Sequence, residues 1–137
     1  MIRQEIISQV KSLNLPEGSY VVYGAAPLAI AGLREANDID FLVTAELLHD
    51  LRQRGWQQVD KGPDDKPYES GIFEAHANWN FSAYAPTLEH LLKTAIVIDG
   101  ISFASLEEVR KWKEAWGRPK DLADIALIDE YLAHQSA

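Results

Sequence analysis

Apolar residues recur at helical spacing over the first thirteen positions. Ile2, Ile6, Ile7, Val10 and Leu13 share one face, and Asn14 and Pro16 end the segment. The period then changes. Ser19 to Tyr23 is a short run rich in β-branched and aromatic residues, which predicts a strand punctuated by Gly24. Ala25 to Leu33 predicts a small-residue helix, with Pro27 in the first turn, where its missing N–H is tolerated. Ile39, Phe41 and Val43 alternate with Asp38, Asp40 and Leu42, a second strand. Leu47, Leu48 and Leu51 mark another helix, closed by Gly55.

The middle third is less periodic. Trp56 to Val59 reads as a strand, and KGPDDKP as a turn cluster. Tyr68 to His76 predicts one strand, Trp79 to Tyr84 a further one, and Thr87 to Leu92 a helix. In AIVIDGISF two apolar β segments flank Asp99-Gly100, a strong hairpin signal. Two helices follow. The first carries Leu106, Val109, Trp112 and Trp116 and closes at Gly117. The second begins at Pro119 and carries Leu122, Ile125, Ala126 and Leu132. With no repeat, linker or low-complexity tract, the expectation is one α/β (α+β) domain over residues 1–137. It would be a small mixed sheet flanked by helices, ending in a helical C-terminal segment.

Composition narrows the chemistry. The 137 residues are 47% hydrophobic and 25% charged, as in an ordinary globular domain, and contain no cysteine. That excludes a disulfide framework, a thiol nucleophile and a zinc-thiolate site; any metal would be held through oxygen. The net charge of −8 runs against binding a nucleic acid by phosphate neutralisation. The N-terminus MIRQEIISQV has no apolar signal core, and Val21 to Leu33 is too short to span a bilayer, so a cytoplasmic address is expected.

The most informative stretch is VVYGAAPLAIAGLREANDIDFLV. Asp38 and Asp40 lie two apart on a predicted strand, so both face one side, about 7 Å apart along the chain. Such like charges repel unless a divalent cation lies between them, and magnesium prefers carboxylate oxygens. Upstream, Gly24 leaves room for a phosphate at the start of a helix.

These residues resemble the DNA polymerase β-like nucleotidyltransferase superfamily. Its signature is a hydrophobic residue, Gly, then Gly or Ser, and about ten residues on an Asp-hydrophobic-Asp/Glu-hydrophobic run. Tyr23 and Gly24 match the first part, and Asp38, Ile39, Asp40 and Phe41 the second. The family's third carboxylate comes from a later strand, and Glu74 in GIFEAHANW is the match. The tail GRPKDLADIALIDEYL looks like that of small bacterial members. The resemblance departs at Ala25, where a serine would donate to phosphate and alanine does not.

The resemblance implies an enzyme transferring a nucleoside monophosphate from an NTP, ATP first, to an acceptor. Asp38, Asp40 and Glu74 would hold Mg²⁺ or Mn²⁺, and Glu74 is also a candidate base. Gly24 and Ala25 would meet the phosphates through their backbone. Five of the thirteen basic residues fall between Arg110 and Lys120. Arg118 and Lys120, placed where a helix start disfavours cations, and Arg34, read as closing the helix after Gly24, are the candidate phosphate contacts. A Lys120–Asp124 pair one turn apart gives Lys120 a purely structural alternative. The negative charge favours a small-molecule or protein acceptor over nucleic acid. The alternative, motivated by Ala25, is a non-catalytic nucleotide- or protein-binding member of the same fold, such as a toxin–antitoxin-like component. His49, His76, His90 and His134 show no ligand spacing. The four tryptophans read as core or pocket wall, with Trp79 nearest to Glu74.

Overall fold

The computed structural model describes residues 1–63, 65–78 and 84–136. Residues 79–83, with Trp79 and most of the strand predicted over Trp79 to Tyr84, lie outside them. The chain runs α1 (Arg3–Ser12), β1 (Tyr20–Tyr23), α2 (Ala26–Ile30), β2 (Ile39–Val43), α3 (Ala45–Gln53) and β3 (Gln57–Gln58). It continues with β4 (Tyr68–Ser70), β5 (Phe73–His76), α4 (Leu88–Thr94), β6 (Ile96–Ile98), β7 (Ile101–Phe103), α5 (Leu106–Trp116) and α6 (Pro119–Ser136).

The strands form one mixed sheet in the order β3-β4-β5-β2-β1-β7-β6. β1 runs antiparallel to β2 and parallel to β7, while β2 runs parallel to β5. This is the predicted α/β class. The central strands are apolar on both faces because helices cover both. Tyr20, Val22, Phe41 and Val43 face Ile6 and Val10 of α1 and Leu47 and Leu51 of α3. Val21, Tyr23 and Leu42 face Leu91 of α4, Val109 and Trp112 of α5 and Ile128 of α6. The Asp99-Gly100 hairpin forms as expected, with Ile98 opposite Ile101 and φ of 53° and 79° at its two turn residues.

Three elements differ from the sequence reading. The segment Tyr68 to His76 is a hairpin, not one strand: Ser70 pairs with Phe73 around Gly71-Ile72. The flanking run is apolar enough to hide that turn. The second helix stops at Ile30, three residues before Leu33, because Gly32 and Leu33 donate back to the carbonyls of Ala29 and Leu28. Arg34 therefore sits in the loop beyond α2 and does not close it. In α6, finally, the buried stripe is Asp121, Asp124 and Ile128, whereas Leu122 is 60% exposed. The helix turns two carboxylates inward, for the reason given below.

Candidate active site

Tyr23 at the end of β1 pairs with Asp40 on β2, and Asp40 pairs in turn with Glu74 on β5. Strand register thus sets the two carboxylates side by side on one face of the sheet. Asp38 lies in the bend just before β2 rather than on the strand. Its carboxylate nevertheless joins the other two: one oxygen from each of Asp38, Asp40 and Glu74 lies within 4.8 Å of the others. Asp38 is exposed, and Asp40 and Glu74 are half-buried. Burial, with the nearby charges of Glu74 and Asp38, pushes the Asp40 carboxyl up to about 8, against the opposing pull of Lys61 and Lys113. Three crowded carboxylate oxygen donors suit a hard divalent cation, which would relieve their repulsion.

Gly24 explains how Asp40 fits so deep. It adopts φ +74°, and a methyl group on it would overlap Asp40 Oδ2 and press on the carboxyl carbon at 3.3 Å. The glycine makes room for the acid as well as for any ligand.

Beside this edge opens a cleft of about 410 Å³. Clefts of similar size occur elsewhere on the surface, and it is the lining that distinguishes this one. Gly24, Ala25, Asp38 and Asp40 line it, a group termed the carboxylate wall. Arg34, Lys113, Arg118 and Lys120, termed the basic wall, line it too, with Trp112 and Asp124. Every residue predicted to meet phosphate therefore reaches the same cavity as the two aspartates.

The basic wall hangs on the buried acids of α6. Gly117 ends α5 in the left-handed conformation, φ +68°, and its N–H donates to the Lys113 carbonyl at 2.8 Å. The chain turns at once into α6, where Asp121 accepts the Arg118 backbone N–H at 3.1 Å. The Asp121 side chain also grips the Arg118 guanidinium at 2.7 and 3.1 Å. Asp124 takes Arg34 from ninety residues away through two hydrogen bonds, of 2.7 and 2.8 Å. Lys113 Nζ lies 2.9 Å from Asp124 and 3.6 Å from Asp121. Burial opposes ionisation of Asp124, yet the hydrogen bonds from Arg34 and Lys113 outweigh it and hold its pKa below the usual value. Arg118 also stacks over Trp116, 4.3 Å from its ring centre.

This arrangement corrects the pairing expected for Lys120. Asp124 is engaged by Arg34 and Lys113, and Lys120 forms no ion pair among the described residues. Two functional candidates escaped the sequence. Lys113 is 4% exposed because it lies on the apolar face of α5, four residues after Val109 and seven after Leu106. Lys61, from the turn cluster, bridges Glu74 and Glu69 at 3.0 Å each. The contacts to both acids hold its ammonium protonated, overcoming the opposing effect of burial. Spacing to a distant partner was the missing signal in each case. His76, on the same face as Glu74, bonds Tyr23 Oη through Nδ1 at 2.6 Å and Asp65 through Nε2 at 3.0 Å. Among the described residues, no helix is long and apolar enough to cross a membrane.

No known protein-family profile and no curated protein sequence matches the chain. Solved structures do. The crystal structure of ANT(2'')-Ia in complex with adenylyl-2''-tobramycin superposes with a TM-score of 0.56 at 16% identity, covering 97% of this chain and 88% of that one. The solution structure of the antibiotic-resistance factor ANT(2'')-Ia also gives 0.56, at 18% identity over 94% of this chain and 81% of the other. At that identity the likeness establishes a fold: the chain shares the architecture of ANT(2'')-Ia.

Proposed function

We propose that this protein is a single-domain nucleotidyltransferase that moves a nucleoside monophosphate from an NTP, ATP first, to a small-molecule acceptor. The observation that carries the reading is the meeting of Asp38, Asp40 and Glu74, oxygens within 4.8 Å, beside a cleft that Asp38 and Asp40 share with four basic side chains. One wall suits a cation and the other a polyphosphate, and Mg·NTP supplies both.

In this reading Asp38, Asp40 and Glu74 hold Mg²⁺ or Mn²⁺, which would neutralise charge on the triphosphate. The chain's own groups do the rest. The backbone at Gly24 and Ala25 lets a phosphate approach closely, and Arg34, Arg118 and Lys120 offset its charge. An acceptor oxygen forms a bond to the α-phosphorus while the α–β bridging bond breaks and pyrophosphate leaves. The acceptor's proton passes to a base, and Glu74 is the candidate. ANT(2'')-Ia is seen with adenylyl-2''-tobramycin, so amino-sugar hydroxyls head the panel of acceptors, with protein hydroxyls second.

Ala25 favours a second reading, a non-catalytic nucleotide- or protein-binding member of the fold, because it offers no side-chain donor at the start of α2. One experiment separates the two. The protein is incubated with α-labelled NTPs, Mg²⁺ or Mn²⁺ and the acceptor panel, beside Asp40→Asn. Transfer by the wild type that disappears in Asp40→Asn is the expected result. Nucleotide binding without transfer to any acceptor would favour the second reading.

A further inference from the structure

The ion network on Asp121 and Asp124 holds one cation more than its two carboxylates require. Asp124 clamps Arg34 at 2.7 and 2.8 Å, and Asp121 clamps Arg118 at 2.7 and 3.1 Å. Each arginine has an acid of its own. Lys113 adds a third cation to the same two acids and is 4% exposed. Taking an ammonium out of water is costly, and an apolar residue of similar size would fill the position without that penalty. Beyond the two aspartates, the nearby Asp40 and the Trp112 ring, whose centre lies 5.1 Å from its Nζ, the network gives no further reason for a lysine.

The cleft gives one. Lys113 lines it together with Gly24, Ala25 and Asp40. An ammonium carries three donors, of which the two aspartates engage at most two. In the same cleft, the Ala25 side chain donates nothing to a ligand. We propose that Lys113 is the principal phosphate-binding cation of this site, supplying the side-chain donor that Ala25 lacks, for the polyphosphate of a nucleoside triphosphate. Asp121 and Asp124 act through it as positioning residues, since they fix the ammonium before the ligand arrives. The inference rests on the nucleotide-site reading above and names the residue that grips the ligand.

Calorimetric titration with inorganic tripolyphosphate and with Mg·ATP tests it. Lys113→Met leaves each aspartate its arginine, so the fold is retained, as circular dichroism and Tm will show. Tripolyphosphate affinity is expected to fall roughly ten- to hundredfold in Lys113→Met. Lys113→Arg should keep most of it, and Ala25→Ser should recover part of the loss when added to Lys113→Met. Wild-type affinity in Lys113→Met would overturn the assignment, and no recovery with Ala25→Ser would overturn the link to Ala25. If Lys113→Met does not fold, lysine-labelled NMR of the wild type decides: tripolyphosphate must shift the Lys113 Cε signal, and an unmoved signal refutes the proposal. Binding of Mg·ATP without transfer would remove the proposed reaction and leave this inference standing. Binding of neither ligand would remove both.

Discussion

The two walls of the cleft are built in opposite ways. The carboxylate wall is assembled by neighbouring strands, with Asp40 between Tyr23 and Glu74 in register and Gly24 vacating the space above it. The cationic wall is assembled by side chains reaching across the fold, from Arg34 in a loop and Lys113 on α5 to two buried acids on α6. Backbone hydrogen bonds hold the first wall, and charge pairing inside the protein holds the second. They should therefore fail differently.

The largest effect is expected in the second wall. Asp124→Ala strips Arg34 and Lys113 of a shared buried partner, and breaking such a network typically costs about 3–5 kcal/mol. Chemical denaturation measures it; a loss below about 1 kcal/mol would mean the network contributes little to folding. In the first wall, Gly24→Ala forces a side chain into the left-handed region and against Asp40. It should cost about 1–3 kcal/mol and should also weaken Mn²⁺ binding. A destabilised variant with unchanged Mn²⁺ affinity would show that Gly24 does not position Asp40.

How much of each wall is legible in the sequence follows from the same difference. The strand wall could be read because its spacing is local: Gly24, Asp38 and Asp40 announce a turn and a pair of carboxylates within seventeen residues. Even there, alternation put Asp38 on the strand, whereas it sits in the bend before it. The ion network could not be read. Lys113 falls on the apolar face of α5, four residues after Val109, but nothing short of the tertiary fold links it to Asp124. The same blindness made Leu122 a core residue and Asp124 a surface partner of Lys120. The hairpin hidden in Tyr68 to His76 was missed for a local reason, since Gly71 alone does not separate a turn from a bulge.

Proton linkage gives a smaller test of the first wall. The Asp40 carboxyl titrates near 8 in the folded metal-free protein, against about 3.9 in an unfolded chain. Between those values the unfolded state loses its proton while the folded state keeps it, so stability falls as pH rises from about 4 to about 8 and then levels off. Asp40→Asn escapes that penalty. Its Tm relative to wild type, measured with chelator, should climb across this window, and Mg²⁺ should raise the Tm of the wild type alone. A relative Tm that falls with pH would mean that burial does not dominate Asp40.

The smallest effect is the control for the second wall. Asp129 pairs with Arg110 at 2.6 Å, but on the surface. Asp129→Asn should move Tm by no more than about 1–2 °C and leave tripolyphosphate affinity unchanged. A shift as large as that of Asp124→Ala would erase the distinction between buried and exposed pairs.

The central claim is that the two walls enclose one ligand. A structure of the wild type with Mg²⁺ and a non-hydrolysable ATP analogue tests it most directly. The account predicts metal on Asp38, Asp40 and Glu74, with the triphosphate between the Gly24–Ala25 backbone and Lys113. A nucleotide seated elsewhere, or a metal that leaves Asp40 untouched, would contradict it.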